Sequence, residues 1–426
     1  MTASEGSASH VAVATGAALG NFVGTGPVTF YTAPVFLALM TKEFNWSRST
    51  FSGALFLSTI LIALSSPLLG RAADRFGARA VLIPGVIYFG IVLVAMSLND
   101  GSSWTLLPLF ALLGAGAAVQ SPTLYSKVVS IWFARRRGLV LGLAVGGGIG
   151  IGGALLPKYV SLLAAAYGWR GAYIGLGALV TLVGLISSIF FIREPGDRSS
   201  KKPTAQIDHR SYGASAKETR RSLTFWLVTG ALCLMAVSIT GVLVHSVVML
   251  GERGVIAPLA LSFLTSIGVA QIAGRLISGL LQDYFDTPRA ALPFFLAPLI
   301  GLAIVIFSDN SQAALICAGI LIGIGFGAET EIGGYLLSRY FGLSSFAEIY
   351  GTFISLYSIA TGLGPYLIGS ARELIGAYDV PLMGLAIVLV ISIVLISSLG
   401  PYPTVLRDTA LEGGTRGQPV VGDTSA

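Results

Sequence analysis

Twelve apolar runs of at least 18 residues, separated by charged or turn-rich breaks, account for most of the chain. They cover roughly 12–40, 50–69, 80–98, 104–132, 138–166, 170–192, 223–250, 259–282, 288–308, 312–338, 345–371 and 380–399. Within a bilayer core each segment must satisfy its own backbone N–H and C=O groups, so runs of this length predict helices that cross. The expectation is an all-α polytopic membrane protein with twelve transmembrane helices. Only 11% of the 426 residues are charged, against roughly 25% in soluble domains. That is too little charge to cover a water-soluble surface, and enough to populate the connections between membrane helices.

The basic residues are unevenly placed. Eighteen of the 26 Lys and Arg fall in alternate connections and the tail: around 71–79, at 135–137, across 193–222, and at Arg289, Arg339, Arg407 and Arg416. The intervening connections hold five: Lys42, Arg48, Arg170, Arg253 and Arg372. The positive-inside rule puts the first set and both termini in the cytoplasm, in a multi-pass protein of the cell's inner (plasma) membrane. The net charge of +6 thus reports topology, and no nucleic-acid partner is expected. The two cysteines, Cys233 and Cys317, sit inside apolar runs without metal-ligand spacing. There is no Ser/His/Asp array, metal cluster or nucleotide motif, so neither catalysis nor a cofactor is expected.

The one long polar connection, 193–222, divides the spans six and six. This predicts an N-terminal six-helix bundle (1–192), a cytoplasmic linker (193–222), a C-terminal six-helix bundle (223–400) and a tail (401–426). The two parts also echo each other. "GRAADRFGAR" (70–79) follows span 2 and "GLLQDYFDTPR" (279–289) closes span 8. Each has a glycine (Gly70, Gly279) four residues before an aspartate (Asp74, Asp283) and an aromatic two residues after it.

"GRAADRFGAR" resembles the loop signature of the major facilitator superfamily, G-x-x-x-D-R-x-G-x-R, and matches it at Gly70, Asp74, Arg75, Gly77 and Arg79. The resemblance implies two six-helix bundles around a central site, with alternating access. It casts the motif, and Asp283 in its repeat, as a gate in which Asp74 accepts charge-assisted hydrogen bonds from arginines. A narrower resemblance, to the monocarboxylate transporters and bacterial oxalate/formate antiporters, rests on "EFNWSRSTFS" (43–52), "WFARRRGLVLGLAVGGGIG" (132–150), "SRYFGLSSFAEIYG" (338–351) and the position of Arg275. It implies a small organic carboxylate as substrate, carried with a proton or by exchange. It also implies that Thr123 and Tyr125 hydrogen-bond that substrate. There are departures: span 1 lacks the acidic Gly/Trp-rich signature, Gln271 stands where the animal transporters place an aspartate, and span 11 holds no lysine.

Three basic residues, Lys127, Lys158 and Arg275, fall within spans. An arginine deep in a bilayer costs at least ~2.5–3.5 kcal/mol and must face protein or a water-filled cavity. Gln271, Arg275, Ser278 and Gln282 recur at helical spacing, a polar stripe suited to a central pathway. A guanidinium there can take a carboxylate bidentately. Glu329 and Glu331 are the candidate proton carriers; two positions apart, they point about 200° from each other, so at most one shares a cavity with Arg275. Tyr335 lies one turn beyond Glu331 and is a candidate hydrogen-bond donor. His245 is a third titratable candidate. Lys127 and Lys158 are also placed to snorkel, and a glutamate of span 10 competes with a substrate carboxylate for Arg275.

The expected function is secondary transport of a small organic anion, with monocarboxylate–proton symport foremost and the protein acting as a monomer. Anion exchange, drug or metabolite export, and a non-transporting sensor remain as alternatives.

Overall fold

The computed structural model describes residues 3–133, 140–192, 213–285, 287–342 and 344–403; the side chains of residues 3–9 and of Asp283 are outside that description. The described residues are almost wholly helical, and the sole bridge of β type joins Gly213 to Gly342. Ten helical stretches are long and apolar enough to cross a membrane. The 51-residue stretch Leu141–Phe191 is two spans, because Gly168 (φ 70°, ψ 175°) reverses the chain. The Tyr159 hydroxyl reaches the Gly175 carbonyl at 3.2 Å across that hairpin. The 30-residue helix Phe346–Ile375, which carries Glu348, Arg372 and Glu373, supplies the remaining span. Twelve spans result, in the order expected.

The breaks have local causes. Span 2 (Arg48–Phe76) starts at Ser47, whose Oγ accepts from the Thr50 N–H at 3.2 Å. It ends at Gly77, whose φ of 92° would strain any other residue and turns the chain directly into span 3 (Ala78–Leu98). Span 1 (His10–Phe44) is not one regular helix: Gly26–Tyr31 winds as a π-helix between Ala3–Phe22 and Ala33–Phe44. Span 4 (Ser103–Trp132) breaks at Gln120–Ser121, ahead of Pro122. The break takes Gln120 out of helical register with Thr123 and Lys127.

Spans 1–6 and 7–12 meet chiefly along two seams, span 2 (Arg48–Phe76) on span 11 (Phe346–Ile375) and span 5 on span 8 (Ala257–Gln282). Glycines allow the second seam to close. A Cβ on Gly150 would sit 2.3 Å from Ile272 Cγ1 and 2.7 Å from the Gly268 carbonyl, and one on Gly146 2.4 Å from Arg275 Cδ. The glycine-rich run of span 5 is thus a packing surface for span 8.

Candidate functional site

The structure sorts the two glutamates of span 10 (Gln312–Phe341) as their angular separation predicts. Glu331 turns toward span 8, its Oε1 lying 3.6 Å from Arg275 Nη1; its side chain is 46% exposed and that of Arg275 only 11%. Glu329 is fully buried inside the C-terminal half, accepts a hydrogen bond from the Tyr357 hydroxyl at Oε2, and leaves Oε1 without a partner among the described residues. At 3.6 Å the Arg275–Glu331 contact is an ion pair without a hydrogen bond. Arg275 Nε is buried and has no acceptor among the described residues.

The other polar residues of the span 8 stripe lie inside the protein. Gln271, Ser278 and Gln282 are buried; Gln282 Nε2 donates to the Ser278 carbonyl at 2.9 Å and Ser278 Oγ to the Arg275 carbonyl at 3.1 Å. Gln271 Oε1 instead accepts from the Tyr31 hydroxyl, 2.8 Å away in the other half. Tyr335 is not at Arg275: its hydroxyl donates to the Gln282 carbonyl at 2.7 Å, two turns further along span 8. Tyr125 is also elsewhere, fully buried among spans 1, 4 and 6, with its hydroxyl on Gln120 Oε1 at 2.6 Å and its ring where a Cβ on Gly20 would fall. The pair implied by resemblance is split, since Thr123, two residues earlier, is exposed in the first turn of Pro122–Trp132.

His245 is buried at the boundary of the halves. Its Nε2 lies 2.9 Å from the Pro365 carbonyl and 3.1 Å from Ser52 Oγ, and its Nδ1 2.9 Å from the Tyr378 hydroxyl. A carbonyl only accepts, so the Nε2–H tautomer satisfies the ring. This placement makes His245 a tie between span 7 and its neighbours, apart from Arg275 and Glu331.

We call the face carrying the 70–79 turn the motif face and the other the far face. At the motif face Asp74 accepts from Lys127 Nζ of span 4 at 2.7 Å, where arginines were expected; the aspartate side chain is 72% exposed. Arg75 stacks over the Phe76 ring at 5.2 Å. Gly77 makes the turn, whereas a Cβ on Gly70 would meet nothing within 4 Å. Asp283 belongs to the last turn of Ala257–Tyr284, and its side chain lies outside the described residues.

The far face joins the halves through charge. Glu252, ending span 7, binds Arg372 Nε at 3.0 Å within its own half and lies 3.5 Å from Arg48 Nη2 of the other. Glu373 takes the Ser49 backbone N–H at 2.6 Å and the Ser49 hydroxyl at 2.8 Å. Deeper in, Ser52–His245, Thr265 Oγ1 to the Ala154 carbonyl (3.3 Å) and Tyr31–Gln271 continue the seam to mid-depth. Among the described residues, these polar bridges between the halves therefore run from the far face inward. Arg48, Glu252, Arg372, Glu373 and Tyr31 were not singled out from the sequence. The first four look like ordinary loop charges, and a tyrosine among apolar residues carries no periodic signal. Among the described residues, no three His, Cys, Asp or Glu side chains are grouped to hold a metal ion.

Two helical halves with a deep arginine and closure at one face define a carrier architecture. The Major Facilitator Superfamily model matches residues 17–327, and the chain belongs to that family. It is 22% identical over 324 residues to an uncharacterized MFS-type transporter, YhjX, of Escherichia coli, covering 75% of this chain and 79% of that protein. It is 26% identical over 348 residues to monocarboxylate transporter 13 of Rattus norvegicus, covering 81% and 78%. The crystal structure of a bacterial homologue of the human lysosomal transporter Spinster superposes with a TM-score of 0.66 at 19% identity, covering 93% of this chain and 96% of that one.

Proposed function

We propose that this protein carries a small monocarboxylate together with a proton by alternating access. The observation that supports this most is the state of Arg275: a nearly buried guanidinium whose Nε has no acceptor among the described residues and whose one ion-pair partner among them, Glu331, stands at 3.6 Å. The buried Nε–H, and a guanidinium too far from Glu331 to hydrogen-bond it, call for further acceptors. A substrate carboxylate entering beside Glu331 supplies them in the fork geometry a guanidinium favours. The relative named as a monocarboxylate transporter agrees with this chemistry.

Glu331 couples the two cargoes. While ionised it neutralises Arg275. Once a proton arrives on Glu331, Arg275 is left free to bind the anion, so proton and anion load together and no net charge accumulates in the site. Glu329, paired with Tyr357 and out of contact with Arg275, has a structural part in this scheme. The positive-inside rule favours a cytoplasmic motif face, and we place the carrier in the cell's plasma membrane. With the far face latched, the central site then opens to the cytoplasm, residues 1–192 and 223–400 being the two moving bundles and 193–222 their tether. Uptake of labelled lactate, pyruvate and acetate into reconstituted vesicles tests the reading. A proton gradient directed into the vesicle, acid outside, should accelerate uptake of at least one acid, and indifference of all three to the gradient would refute the coupling.

A further inference from the structure

The bond between Tyr31 and Gln271 joins the halves beside the anion site. Tyr31 ends the π-helical segment Gly26–Tyr31, in a stretch that includes Pro27 and Pro34. π-helical turns inserted in an otherwise α-helical span shift its register and recur at functional sites. Here the shift carries the side chain across the interface. The ring lies against Phe326 of span 10, centroids 6.1 Å apart, and occupies space left by Gly153, where a Cβ would come within 2.8 Å of Tyr31 Cε1. Both Tyr31 and Gln271 are buried.

The chemistry of the bond is directional. The phenol donates to Gln271 Oε1, which leaves the two N–H donors of the amide without a partner among the described residues. Gln271 precedes Arg275 by four residues and so lies one turn away on the same face of the helix. A carboxylate held by Arg275 is met well by N–H donors and badly by an amide oxygen.

We infer that Tyr31 is a positioning residue for the anion site. By holding the amide oxygen it fixes Gln271 with its donors toward the carboxylate, so that Gln271 and Arg275 act as one clamp. Because the bond crosses the halves, the clamp is complete only while the far face is closed, which ties anion affinity to the conformational cycle. This inference rests on the reading of Arg275 as the carboxylate site.

The test uses full-length protein in vesicles and whichever of labelled lactate, pyruvate or acetate the wild type takes up fastest. Tyr31→Phe keeps the ring and removes the hydroxyl. It should raise KM about tenfold, as expected for loss of an oriented hydrogen bond to a charged group, with kcat within about twofold. Gln271→Ala should do the same, and the double variant should be no worse than the poorer single one. An unchanged KM in Tyr31→Phe, a fall in kcat alone, or additive effects in the double variant would overturn the inference. Arg275→Ala separates the two levels. If it abolishes saturable uptake while Tyr31→Phe is unaffected, only the positioning role fails; if it transports normally, or the wild type takes up none of the three acids, the carboxylate reading fails as well.

Discussion

Arg275 Nη1 and Glu331 Oε1 face each other at 3.6 Å, close enough to attract and too far to share a hydrogen bond. A saturated buried pair would be a static strut. This one leaves the guanidinium under-satisfied beside a half-exposed carboxylate, the arrangement a carrier needs if substrate is to enter and leave.

Glu331→Gln should therefore uncouple the carrier without unfolding it. Gradient-driven uptake should fall at least tenfold toward the rate seen without a gradient, while exchange of labelled for unlabelled acid persists. Glu329→Gln, which preserves an acceptor for Tyr357, should leave gradient-driven uptake within about threefold. Vesicle uptake with and without a pH gradient measures both.

The far-face charges should set how often that face opens. Partly exposed ion pairs contribute up to ~1 kcal/mol each, so Glu252→Gln, which removes the negative charge that pairs with both Arg48 and Arg372, should raise the open population about fivefold. Ser52, buried beneath the latch, reports it. A membrane-impermeant maleimide should label Ser52→Cys several-fold faster when Glu252→Gln is present.

Packing predicts a contrast between glycines. A Cβ on Gly327 would fall 2.0 Å from the Gln271 carbonyl oxygen, a backbone atom that cannot step aside, so Gly327→Ala should cost ~1–3 kcal/mol and lower the unfolding temperature. Gly351, also helical, meets nothing within 4 Å. Gly351→Ala should be neutral or stabilising by up to ~1 kcal/mol. Thermal unfolding in detergent distinguishes them.

The helical spans were legible because their length follows from bilayer thickness, and the nearly buried setting of Arg275 because a charge within a span must face protein or a cavity. The choice between Glu329 and Glu331 was half legible: helix geometry said they diverge, and only packing said which one meets span 8. Tyr125 and Tyr335 were misplaced for a shared reason. In a membrane protein apolar surface faces both lipid and core, so sequence period does not say which way a side chain on a span points. The break at Gln120–Ser121 and the π-helical segment before Tyr31 then shift the register locally. The far-face latch was invisible because its members come from three separate helix ends and meet only in the folded protein.

The proposed transport cycle depends most on Arg275 as the anion's ligand. Equilibrium binding of a labelled monocarboxylate to purified wild type and Arg275→Gln protein tests that directly. The expected result is an affinity loss of about 10- to 100-fold, the worth of a charge-assisted interaction of ~1.5–3 kcal/mol, with the variant still folded. Binding of equal strength in the two proteins would contradict it.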